Sequence, residues 1–206
     1  MTRARELADL LTGGQTISTA DNTEQLIFKS TDADASAGPL IKMHRESGSP
    51  ADGDALGRFN FIGENDADEE VTYARIHAKA NDVTDGTEDG ELLLLTTVAG
   101  TNRSRMAIGP SETVFNEDSV DVNFRVESDG NANLFFVDAG NDKVGVGTNT
   151  PAAIFSALST SGTTTDIGRF EAAVGSYTGT SLVAGNTLGA ASTYNLFKCI
   201  TDSDAD

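Results

Sequence analysis

Residues 123–151, NFRVESDGNANLFFVDAGNDKVGVGTNTP, confine this part of the chain to short, reversing strands. Three apolar-alternating runs, 124–127, 134–138 and 144–146, are separated by Ser-Asp-Gly-Asn at 128–131 and Ala-Gly-Asn-Asp at 139–142. Each cluster holds residues that tolerate positive φ, so each ends a strand and lets the chain turn back. In the last run Val144 and Val146 share one side, and Gly145 and Gly147 leave the other as bare backbone. A side stripped in this way implies that something approaches it closely.

Alternating strands and turns also fill residues 16–97. Strands are expected at 25–29, 40–44, 58–62, 71–79 and 91–97, between segments rich in Asp, Gly, Ser and Asn, and this spacing argues an all-β architecture. In 71–79 the side chains of Val71, Tyr73, Arg75, His77 and Lys79 fall on one face. Thr72, Ala74, Ile76 and Ala78 fall on the other, which is small and apolar enough for a contact between sheets or chains. Leu92 to Leu95 are apolar on both faces and are expected to be covered on both sides, as an inner core. A further strand, 106–115, is interrupted by Gly109-Pro110. Residues 152–161 fit either a strand or a short helix, and 166–174, 180–184, 187–191 and 193–200 read as short strands with glycine breaks.

The one convincing helix lies at the start. Thr2 caps it, Leu7, Leu10 and Leu11 form one stripe, and Gly13-Gly14 stops it. A helix this short is marginal alone, so it is expected to be held by packing on its own copies or on another protein.

Composition points the same way. With 38% hydrophobic residues, 6% aromatic residues and no Trp in 206 residues, the chain has a lean supply for a self-sufficient core, which implies burial shared between chains. Its 32 acidic and 14 basic residues give a formal net charge of −18, which disfavours attraction to nucleic acid or an anionic membrane surface. No apolar run is long enough to span a bilayer, and the N-terminus lacks the apolar core of a signal peptide. Cys199 is the only cysteine, so no intrachain disulfide forms, and a buried structural thiol is expected there.

The apparent chemical motifs carry little. Asp32-Ala-Asp34, Asn65 to Asp68 and the acidic run 82–89 are rich in carboxylates, but none has the spacing of a helix–loop–helix calcium site. Gly145-Val-Gly147 is followed by no helix, third glycine or lysine, so it is not a phosphate loop. His44 and His77 have no second His or Cys at ligand spacing. Asn102-Arg-Ser104 matches the glycosylation triplet, without meaning for a protein made in a cytoplasm. No pair of carboxylates is marked out by an aromatic setting. No catalytic residue, cofactor or metal is therefore expected.

The string FRVESDGNANLFFVDAGNDKVGVGTNTP resembles a module that recurs in tail-fibre and other fibrous virion proteins of tailed bacteriophages. Residues 56–97, LGRFNFIGENDADEEVTYARIHAKANDVTDGTEDGELLLLTT, are similar to a segment that often precedes it, and the two cover about half of the chain. The resemblance implies an all-β, elongated trimeric fibre of prism- or sandwich-like modules with a short N-terminal helix, assembled in the host cytoplasm and resident in the virion. Its expected divisions are an anchor and linker (1–20), a fibre module (21–119), a three-stranded repeat (120–152) and a second module (153–206) continuing into a longer fibre. Arg3, Arg5, Leu7, Leu10 and Leu11 are the candidate anchor to tail or portal proteins. Leu134, Phe136, Val144, Gly145, Val146 and Gly147 are the candidates for the trimer axis. Host-surface glycan would be met by residues 154–206 or by parts beyond them. A capsid-decorating or head-fibre protein and a carbohydrate-binding β domain are the alternatives.

Overall fold

The computed structural model describes residues 16–36 and 38–158. The expected N-terminal helix, Cys199 and the strands expected beyond residue 158 lie outside these residues. Among the described residues there are strands and turns and no helix, as the all-β reading requires.

Five strands form the first sheet, in sequence order: β1 (Asp54–Glu64), β2 (Glu70–Asp82), β3 (Asp89–Val98), β4 (Thr101–Ile108) and β5 (Thr113–Phe115). Every neighbouring pair is antiparallel. Local chemistry makes the reversals. The Asn65 side chain accepts the amides of Ala67 and Glu69, each at 2.9 Å, and Asp82 accepts the amide of Thr84 at 2.7 Å. Such Asx turns engage the side chains of Asn65 and Asp82 within their own reversals. The tightest reversal is Ala99-Gly100, with φ of 47° and 77°, the two-residue turn whose twist matches the flanking strands. Gly109-Pro110 does not interrupt one strand but turns between two, with the Gly109 amide bonded to the Glu112 carbonyl at 2.9 Å.

The second sheet holds β6 (Phe124–Ser128), β7 (Asn131–Asp138), β8 (Lys143–Val146) and β9 (Phe155–Ala157). The first three pair antiparallel around the two expected turn clusters, although only Asp142, at φ 54°, uses the left-handed region there. The open choice for 152–161 resolves, over its described part, to a strand: β9 lies parallel to β8. Between them, residues 147–154 fold back over the glycine side of β8. Thr150 donates its amide to the Thr148 hydroxyl at 3.1 Å, and Lys143 Nζ reaches the Pro151 carbonyl at 3.0 Å. This loop explains the glycines. A methyl group on Gly145 would overlap the Thr148 carbonyl oxygen, and one on Gly147, at φ 78°, would overlap that of Leu158.

Residues 25–29 and 40–44, expected as strands, are irregular and pair with no strand among the described residues. Leu26, Ile27, Leu40 and Ile41 are 59–77% exposed. Their apolar runs are strand-like, yet a strand also needs a partner edge. This segment meets the first sheet near its end, where Arg45 Nη1 lies 2.7 Å from Asp54 Oδ1 and Met43 rests against Gly57. The Arg45 guanidinium holds the Asp54 carboxyl below its ordinary range.

Gly145→Ala should therefore destabilise the second sheet by about 1–3 kcal/mol, the usual range for overpacking. Gly130→Ala, where an added methyl meets open space, should change little. Urea midpoints of the two variants would check the difference.

Candidate assembly surface

Cross-strand register decides which side chains share a surface. In the first sheet Phe59, Ile76, Leu94, Met106 and Phe115 are directly paired, one from each strand. Beside that row lie Ala78, Leu92 and Ile108. This is the face that the alternation of 71–79 marked as small and apolar, and it is open: Phe59 is 50% exposed, Phe115 49% and Leu92 38%. Among the described residues, Leu92 to Leu95 are thus not covered on both sides. β3 is the middle strand, with Leu93 and Leu95 half-buried on one side and Leu92 and Leu94 exposed on the other.

The opposite face is polar and better closed. His77 pairs with Arg58 and Leu93, Arg75 with Asn60 and Leu95, and Lys79 with Glu91. Arg75 Nε donates to Asn60 Oδ1 at 2.8 Å, and Lys79 Nζ donates to Glu91 Oε2 at 3.0 Å. The aliphatic stems of such side chains can cover a sheet that lacks a second layer. Beneath them His77 is buried, and its Nε2 has no hydrogen-bond partner among the described residues. Burial first, then the charges of Arg58, Arg75 and Lys79, push the imidazole below its ordinary value of 6.5, against a weaker pull from Glu91.

The second sheet repeats the division. Phe135 pairs with Val126 and Val146, and Val137 with Phe124 and Val144, so these side chains share one face. Phe136 pairs with Arg125 and Gly145 on the other face, beside the returning loop, and is 7% exposed. The six residues expected at one axis therefore do not form one surface. Leu134 and Phe136 lie on the Gly145 side, and Val144 and Val146 lie opposite. The pleat separates neighbours that the sequence reading grouped together. What approaches Gly145 and Gly147 is the chain itself, so these glycines leave no gap for another copy. The anchor candidates Arg3, Arg5, Leu7, Leu10 and Leu11 lie outside the described residues.

The two apolar faces are joined by aromatic rings. Phe115 of β5 and Phe124 of β6 have centroids 4.8 Å apart, and Phe124 and Phe135 have theirs at 6.4 Å. A cleft of about 300 Å³ opens at this junction, lined by Leu94, Met106, Phe115, Val122 and Phe124 among others. The row across the first sheet had a signal in the alternation of 71–79. Its extension through Phe124 had none, because the junction depends on where residues 116–123 carry the chain. Among the described residues, no three His, Cys, Asp or Glu side chains are grouped to hold a metal ion. No protein-family model and no curated protein matches this chain.

Stability should depend on pH through His77. The folded sheet resists the proton that the unfolded chain accepts below 6.5, so stability is full above that pH and declines as pH falls through it. Urea midpoints at pH 7.5 and 5.5 should differ in that sense, and His77→Gln should reduce the difference.

Proposed function

We propose that the chain is a structural virion protein, the proximal, virion-attached part of a phage tail fibre, assembled as a parallel homotrimer. The observation that carries this reading is the absence of an apolar core among the described residues. Apart from Pro151, the only apolar side chains buried among the described residues are Ala107 and Phe136, while Phe59, Phe61, Leu94 and Phe115 stand 36–56% exposed. Sheets left open in this way bury enough surface only by association, and unassociated they invite aggregation. The sequence resemblance supplies the biological class. Its two segments, 56–97 and 124–151, fall on the two folded sheets.

In this reading residues 1–14 form the anchor, with Arg3, Arg5, Leu7, Leu10 and Leu11 at the contact. Host recognition belongs to residues 154–206 or to parts distal to them. The carboxylate-bearing turns face solvent, where salt screens the charge of each chain. Function is structural, without chemistry at a catalytic site.

Light scattering on the purified chain should give the mass of three copies, and a folded monomer at micromolar concentration would overturn the trimer. Val146→Asp, which sets a carboxylate on the apolar face, should lower that mass while a β-type circular dichroism spectrum persists. Deleting residues 1–14 should leave a folded oligomer that is no longer incorporated into particles, and incorporation at the wild-type level would refute the anchor.

A further inference from the structure

The second copy must meet a particular surface, and the distribution of charge selects one. The directly paired row of the first sheet, from Phe59 to Phe115, contains no acidic side chain, and neither do Ala78, Leu92 and Ile108 beside it. In the second sheet, the face holding Phe124, Val126, Phe135, Val137, Val144 and Val146 is likewise free of carboxylates, as are Phe155 and Ala157, which extend it on β9. In a chain with 32 acidic residues and a net charge of −18, like copies repel wherever carboxylates face one another. The opposite faces carry Glu91 on the first sheet and Asp138 on the second. Tilted and edge-on contacts among Phe115, Phe124 and Phe135 join the two carboxylate-free rows into one continuous surface, with Arg105 in the cleft between them.

Its extent is also sufficient. Phe59, Phe61, Phe115, Phe135 and Phe155 are 37–64% exposed, together on the order of 500 Å². Ile76, Leu92, Leu94 and Ile108, each 36–38% exposed, bring the total toward the roughly 800 Å² that each partner of a stable interface contributes. The polar sides are already closed by the chain's own groups: by Arg75, Lys79 and Glu91 around His77 in one sheet, and by the 147–154 loop in the other.

We infer that the continuous apolar surface through Ile76, Leu94, Phe115, Phe124 and Phe135 is where copies of this chain meet, and that the His77 face and the Gly145 side face outward. This inference rests on the self-association proposed above and goes beyond it by naming the surface. It removes Leu134 and Phe136 from the axis and brings the first sheet to it.

Hydroxyl-radical footprinting of the wild-type protein, at a concentration where its mass has been measured by light scattering, tests the inference without a substitution. Phe59, Met106 and Phe115 should be labelled several-fold less than their exposure in a single chain allows, whereas Leu134, 45% exposed on the outward side, should be labelled freely. A paired test compares Phe115→Asp, expected to reduce the mass to that of one chain, with Leu134→Asp, expected to leave it unchanged. Both positions are exposed in the single chain, and circular dichroism confirms that each variant folds. An oligomer with Phe59 and Phe115 fully labelled, or one dissociated by Leu134→Asp but not by Phe115→Asp, would overturn the inference and leave self-association standing. A wild-type protein with the mass of one chain would remove both.

Discussion

A β-sheet one layer thick has two faces, and the described residues cover only one face of each of the two sheets. In the first sheet the covered side is polar: Arg58 pairs across from the buried His77, Arg75 and Lys79 flank it along β2, and Lys79 and Glu91 neutralise each other at 3.0 Å. In the second, residues 147–154 fold over the glycine side of β8, with Thr148 and Pro151 buried. The cost of solvating the remaining apolar rows is about 25 cal/mol per Å² of apolar surface. That term disfavours carboxylates on these rows.

The strands of both sheets were largely legible because period-two alternation reports a pleated, half-buried surface directly. The alternation of 71–79 gave the correct division of β2, and the turn clusters at 128–131 and 139–142 gave three strands of the second sheet. Alternation reports a demand for a partner and not its supply, so residues 25–29 and 40–44 looked like strands although no edge of the described chain pairs with them. The opening of β4, Thr101-Asn-Arg-Ser-Arg, is a strand with no apolar signature, held because Ala99-Gly100 turns the chain back along β3. β9 was undecided in the sequence because parallel pairing depends on a distant edge and leaves no local mark.

The candidate surface was less legible than the fold. Grouping Leu134 and Phe136 with Val144 and Val146 on one axis ignored the pleat, which sets Phe135 with Val146 and Phe136 with Gly145. The bare side of β8 correctly implied a close neighbour, but sequence alone does not say whether a neighbour is covalently attached. Here it is, only three residues beyond Gly145, at the Thr148 carbonyl. The aromatic bridge from Phe115 to Phe124 depended on the path of residues 116–123, where Asn116 and Ser119 adopt positive φ and the Asn116 side chain holds the Val120 carbonyl at 2.8 Å.

The parallel pairing of β9 fixes the direction in which the chain travels. Three antiparallel strands carry the chain along the second sheet, back and along again, and a fourth antiparallel strand would have returned it to the end at which it entered. Because β9 instead repeats the direction of β8, the chain leaves at the end opposite the start of β6. In the first sheet β5 also runs in the direction of β1, but it spans only Thr113–Phe115 and ends at the row of Phe59, Ile76, Leu94 and Met106, halfway along the sheet. The second sheet thus turns a compact set of reversals into a net advance of the chain, without any long connecting strand.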